Sequence, residues 1–289
     1  MNSLPQALSE ADESILSRAF DRLEHPSFAV RLSNVVGTPI EMALKLLPTC
    51  WYKRMHRHAE ACIGKALDLA ISNVSHTQQA PSNDRRYKLL GMTSGALAGL
   101  LGGPAMLLEL PVTTTLMLSA IADIARKEGE DLAAVETRLA CLEVFALGGR
   151  SDEDDAADTG YYGLRLALEA PIANASKFLA HSSLAARGQP PVMVNLINTV
   201  AKRFGVVLSE KAAAEIIPIV GAVGGALINR LFMEHFQDMA RSHFSLRRLE
   251  RKYGIAMIQE AYARIKQERT SHPLQAAYRQ LSVIGAAAA

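Results

Sequence analysis

The sequence predicts an all-α protein, a single helical bundle domain around two glycine-rich apolar helical segments at about 89–122 and 212–232. Alanine and leucine dominate the composition and strand-like alternation of β-branched residues is scarce, which favours helix. Apolar residues recur at helical spacing along most of the chain, as in Ile15, Leu16, Ala19, Phe20 and Leu23. The two apolar segments are nearly free of charge. Between Leu89 and Ala122 the single charged residue is Glu109, while Arg85, Arg86 and Lys88 stand before the segment and Asp123, Arg126 and Lys127 after it.

With 289 residues the chain can bury one large core or two smaller ones. Hydrophobic residues make up 49% and mean hydropathy is +0.09, at the apolar edge of soluble proteins and short of a polytopic membrane protein. A net charge of +2 argues for no nucleic-acid partner. Cys50, Cys62 and Cys141 are odd in number, widely spaced and form no CxxC, which points to a reduced, cytoplasmic chain. The polar, acidic start MNSLPQALSEADES does not read as a secretory signal.

The spacing predicts an amphipathic helix over 9–24, taken as an N-terminal appendage or cap (1–24), ended by His25-Pro26. A helix over 27–47 is interrupted at Gly37-Thr38-Pro39, and Pro48-Thr49 open a third, which runs to about residue 71. That third helix starts with Trp51, Tyr52, Lys53 and Arg54, readable as an interfacial membrane anchor or as a solvated face with Trp51 in the core. His56 and His58 in it point to different helix faces, against a metal pair with Cys62. Residues 73–84 read as a linker. The first apolar segment then folds as a hairpin whose tip is Gly102-Gly103-Pro104. Gly91, Gly95 and Gly99 form a small-residue stripe on it that allows close helix approach, and Pro111 predicts a kink.

Residues 126–131 form a polar turn, 132–147 a helix closed by Gly148-Gly149, and 151–158 an acidic loop without the ligand spacing of a calcium site. Helix 160–180, linker 187–191, a short helix 192–204 and a long helix from Ser209 to about Phe244 follow, the last with an apolar centre over 216–228. Ser245–Tyr253 is basic and includes Arg247 and Arg248. Gly254 breaks the chain before a final helix to about 267, and 269–289 is a loosely held tail.

Acidic residues inside apolar helices are the sharpest chemical feature. Glu109, Glu143 and Glu215 sit in apolar surroundings, and a buried carboxylate must be paired, hydrogen-bonded or metal-bound. His235 and Asp238 share a helix face, so Glu109, Glu143, His235 and Asp238 form a candidate buried acidic cluster with a possible divalent metal. The alternatives are that Glu109 and Glu143 are satisfied by Thr113, by Arg230 or Arg241, or by backbone groups opened at Pro111, or that they line a proton or ion path. No P-loop, nucleophile elbow, zincin or dinucleotide fingerprint is present, so catalytic residues are unknown, no enzyme is favoured and no cofactor is expected.

The runs LGGPAMLLELPVTTTLMLSAIADIARKEGEDL (101–132), CLEVFALGG (141–149), GYYGLRLAL (160–168) and 209–254, the last including HF and RRLE, resemble the EcsC family of bacterial proteins, over about 26–262. The family is named for the third product of an operon that also encodes an ABC transporter. The resemblance implies a domain over about 26–268 and association with membrane or transport functions, and it carries over no catalytic residues.

Three functions follow. The first is a cytoplasmic protein at the inner face of the membrane, bound to lipid or a membrane protein complex, with self-association possible. It would use Trp51, Tyr52, Lys53, Arg54, the tip Gly102, Gly103 and Pro104, and Arg247 and Arg248. The second is a soluble enzyme with a carboxylate and histidine metal site. The third is a soluble helical protein-interaction module.

Overall fold

The computed structural model describes residues 7–24, 28–46, 49–72, 84–101, 103–149, 160–181, 191–216 and 221–271. Among them are eleven helices and no strand: α1 (Glu10–Glu24), α2 (Phe28–Val36), α3 (Ile40–Leu46), α4 (Thr49–Ser72), α5 (Asp84–Leu101), α6 (Gly103–Lys127), α7 (Val135–Leu147), α8 (Tyr161–His181), α9 (Pro191–Ile216), α10 (Gly221–Tyr253) and α11 (Ile255–Ser271). The protein is all-α, as its composition predicts.

The longest helix, α10, is the axis of the bundle and packs on α5, α1, α6, α2, α11, α7 and α9. Its apolar residues Ile228, Phe232, Met233, Phe236, Ala240 and Phe244 recur every three or four positions and are all buried. Around Phe232 and Phe236 the rings of Phe145 from α7, Phe204 from α9 and Phe28 from α2 interlock with centroids 5.0–6.2 Å apart. Burying each such ring contributes roughly 2–3 kcal/mol, so this knot anchors the fold.

The register follows from the close contacts. On α5, Gly91 faces Met233 and Gly95 faces Gly225 and Asn229, so α5 runs antiparallel to α10. A Cβ on Gly95 would lie 2.5 Å from the Gly225 carbonyl oxygen, a separation that only glycine allows. On α6, Glu109 meets Asn229, and Glu130 beyond its end meets Arg247, so α6 runs parallel to α10. On α4, His56 and Ala59 lie against Gly205, and Cys62 reaches Thr114 of α6 and feels Lys211, so α4 runs parallel to α9. The C-terminal ends of α5 and α9 and the N-terminal ends of α6 and α10 therefore gather at one end of the bundle.

One chain segment differs from the sequence expectation. The short helix 192–204 and the start of the long helix at Ser209 are one continuous helix, α9, which ends two residues before Pro218. Gly205 does not break it: a lone glycine costs a helix only about 1 kcal/mol, and Ala59 and His56 of α4 lie 3.8 Å from its Cβ position. In the N-terminal stretch, α1 buries Leu16, Ala19 and Phe20 and packs on α10 and α11. Ser9 caps α1 by accepting the Asp12 amide, while Asp12 accepts from Lys252 and Tyr253. Pro111 lies inside α6, where Thr114 and Thr115 hydroxyls donate to the Leu110 and Pro111 carbonyls. The expected linkers 73–84 and 187–191, the acidic loop 151–158, Gly102 and the tail beyond Ser271 lie wholly or almost wholly outside the described residues.

Candidate functional site

Two buried ionic clusters stand out, each holding one of the glutamates singled out by sequence. The first lies under the gathered helix ends. Lys211 of α9 is fully buried, with Nζ 3.1 Å from Glu109 Oε2 and 3.6 Å from Glu215 Oε1, and 5.0 Å from the Phe232 ring centroid. Thr113, one turn after Glu109 on α6, donates to Glu109 Oε1 at 2.5 Å. Asn229 of α10 donates to the same oxygen and, at 2.8 Å, to the Gly91 carbonyl of α5. Burial pushes the Glu109 carboxyl up, but Lys211, Thr113 and Asn229 outweigh it and hold the group below its ordinary range. Glu215 is raised: burial is the main cause, Lys211 opposes it and the Glu109 charge adds to it.

The second cluster lies where α7, α8 and α10 meet. Glu143 of α7 sits with Oε2 3.8 Å from His243 Nε2 of α10, and His243 Nδ1 is 3.0 Å from the Tyr161 hydroxyl of α8. Burial pushes Glu143 up to about 7, although Arg165 and Arg247 pull it back. Burial, aided by the same two arginines, holds the His243 imidazole well below its ordinary range, so it is neutral. Arg165 is bound to Glu250, which also accepts from Tyr162. Glu24 of α1 accepts from the Tyr161 amide at 2.9 Å and from the Tyr262 hydroxyl at 2.8 Å.

The structure does not bring Glu109, Glu143, His235 and Asp238 together, which corrects the expected metal cluster. Among the described residues no group of three or more His, Cys, Asp or Glu is placed to hold a metal ion. His235 turns to α7, where Nε2 donates to the Gly148 carbonyl at 2.8 Å, and burial holds it down to about 4. Asp238 turns to the surface and pairs with Arg31, Arg22 and Arg241. A shared helix face set by three-residue spacing spans about 60° of arc. On an axial helix such as α10 that arc is wide enough to meet two different neighbours.

The residues expected to touch membrane or partner lie at different levels of the bundle. Trp51 is half-buried under the Arg54 guanidinium, 5.8 Å from the ring centroid, and Tyr52, Lys53 and Arg54 are exposed. About 16 Å of helix separates this group from Cys62, on the side away from the gathered ends. Arg247 is bound by Glu130 through two nitrogens and Arg248 by Glu128 at 2.7 Å. Both lie about 27 Å of helix or more from Asn229, towards the opposite end. Gly103 and Pro104 open α6 at the gathered end. Gly103 and Pro104 thus lie at one end of the bundle, and the Trp51 and Arg247 groups toward the other.

Sequence reasoning missed Lys211, Asn229, His243 and Tyr161. Lys211 and Glu215 form a lysine–glutamate pair one turn apart in SEKAAAE, flanked by alanines too small to lift it to the surface. Asn229 is the one strongly polar residue between Ile216 and Arg230, which was a legible signal for a buried partner.

Among the described residues, eleven helices packed about the axial helix α10 as one of them, with ionic clusters inside, define a helical bundle protein. The family model of the EcsC protein family matches residues 51–249, more than half of the chain, and the chain belongs to this family. The match is narrower than the resemblance over 26–262, leaving α1 to α3, the first residues of α4 and all of α11 outside it. No curated protein and no solved structure matches the chain significantly.

Proposed function

We propose that the protein is a membrane-associated helical bundle that docks through the end where α5, α6, α9 and α10 gather, and that it acts with the membrane or a membrane protein complex rather than as an enzyme. One observation carries this. Residues 89–108 and 216–229, which form or border that end, contain no charged residue, and their described parts pack together where Gly91 and Gly95 meet Gly225, Asn229 and Met233. On α10 the run presents Val223, 76% exposed, and Leu227, 37% exposed. An apolar end of this kind gains about 25 cal/mol per Å² when it leaves water.

Glu109 does not oppose shallow docking, because Lys211 neutralises it beneath the apolar end. Among the described residues one helix, α9 over Pro191–Glu215, is long and apolar enough to cross a membrane. It carries Lys211, and 56% of its most apolar window is buried, which fits a core helix and a protein that dips rather than spans. The free, buried thiols Cys62 and Cys141 suit the reducing, cytoplasmic side.

The test is flotation of the full chain with neutral and anionic liposomes at low and high salt. Binding that survives high salt and drops at least tenfold in Val223→Asp or Leu227→Asp is the expected outcome. Binding lost in salt would assign contact to basic faces instead, and absence of binding would overturn the proposal.

A further inference from the structure

The cluster under the apolar end does not balance. It holds two carboxylates, Glu109 and Glu215, and one ammonium, Lys211, so it has one negative charge in excess. The three donors converge on Glu109: Lys211, Thr113 and Asn229. Glu215 has Lys211 at 3.6 Å and, among the described residues, no hydrogen-bond donor on Oε1. It also sits in the last turn of α9, where the helix dipole disfavours negative charge. Asn229, fully buried, has a second acceptor without a donor, Oδ1. The cluster thus has surplus acceptors and too few donors, and one proton is what it lacks.

Resting on the docking proposed above, we infer that docking is proton-coupled: Glu215, the last charged residue before the run 216–229, takes one proton from solvent as this end enters the bilayer. The proton adds to a carboxylate oxygen of Glu215, giving a neutral acid and a cluster of zero net charge. The charged groups that act on Glu215 are Lys211 on its own helix and Glu109 from α6. From α10 the cluster receives the neutral Asn229. From α4 it receives the neutral Cys62 thiol, itself raised by burial. Burial already raises the Glu215 carboxyl in the free protein, and a bilayer in place of water extends the same desolvation.

The experiment measures partition of the full chain onto neutral phosphatidylcholine vesicles at high salt from pH 4.5 to 8, with wild type, Glu215→Gln and Glu143→Gln. Neutral lipid and high salt remove surface-charge effects. Wild-type binding is expected to weaken as pH rises, by at most tenfold per unit for a single proton. Glu215→Gln should bind at pH 8 as tightly as wild type does at pH 4.5, with no pH dependence, while Glu143→Gln keeps the wild-type profile. Proton uptake in weakly buffered solution gives a second measure that needs no variant: about one proton per chain bound near neutral pH.

Binding without pH dependence and without proton uptake would overturn the coupling and leave docking intact. A pH dependence that persists in Glu215→Gln would overturn the assignment to this residue. No binding at any pH by any of the three chains would overturn docking itself, and the coupling with it.

Discussion

Glu109 and Glu143 are both buried glutamates on helices that pack around α10, yet their carboxyls move in opposite directions. Glu109 meets an ammonium, a hydroxyl and an amide, and stays ionised. Glu143 meets a neutral imidazole at 3.8 Å, and burial decides its proton affinity, which rises to about 7. The difference teaches that depth alone does not set the charge state of a core carboxyl. Donors within hydrogen-bond reach do, and arginines acting only through space, as Arg165 and Arg247 act on Glu143, do not replace them.

The strongest way to break the contrast is to remove the cation. Lys211→Met leaves Glu109 and Glu215 facing each other in the core without a positive charge. This should destabilise the protein by about 3–5 kcal/mol, read as a lower midpoint in urea. The double variant Lys211→Met/Glu109→Gln should recover most of that loss, since the uncompensated charge is the cause. Equal losses in the single and double variants would mean that Lys211 acts through packing on Phe232 alone.

Glu143 should show the reverse. Its folded-state affinity for a proton is raised, from 4.5 to about 7, so its contribution to stability is fully present below about pH 4.5 and is lost as pH rises through about 7. Over that window the loss amounts to about 3 kcal/mol. Glu143→Gln should therefore match wild type at pH 4.5 and exceed it by about 3 kcal/mol at pH 8. The burial-lowered His243 and His235 add an opposite, acid-side dependence to both proteins, and it cancels in the difference. A constant difference across pH, by thermal or urea unfolding, would show that Glu143 does not titrate in this range.

Much of the fold was legible because its signals are local. The pair of short helices around Gly37 and the stop at Gly254 are written in glycine and proline. The merged helix α9 was not legible, since a lone glycine such as Gly205 costs a helix interior only about 1 kcal/mol, which the packing of the whole helix outweighs. For the site, the sequence marked Glu109, Glu143 and Thr113 but not which helix each would face. His235 and Asp238 share a face by spacing, yet bind Gly148 and three arginines respectively, because α10 packs against several different helices. Lys211 was hidden by charge type, as a lone lysine beside a glutamate reads as a surface pair.

The smallest effect sharpens the comparison from the backbone side. Asn229 reaches Glu109 only because Gly95 lets α5 lie on α10, with the Gly95 Cβ position 2.6 Å from the Asn229 Cβ. Gly95→Ala should push Asn229 off Glu109 and cost about 1–3 kcal/mol, and it should raise the Glu109 carboxyl because one donor is lost. One turn earlier, a Cβ on Gly91 would meet Met233 Cε at 3.5 Å, an ordinary contact at a flexible side-chain end. Gly91→Ala should therefore be neutral or stabilise by up to about 1 kcal/mol through helix propensity. Thermal unfolding of the two variants separates a stripe of interchangeable small residues, which predicts equal losses, from a stripe in which one glycine positions the amide that keeps Glu109 charged.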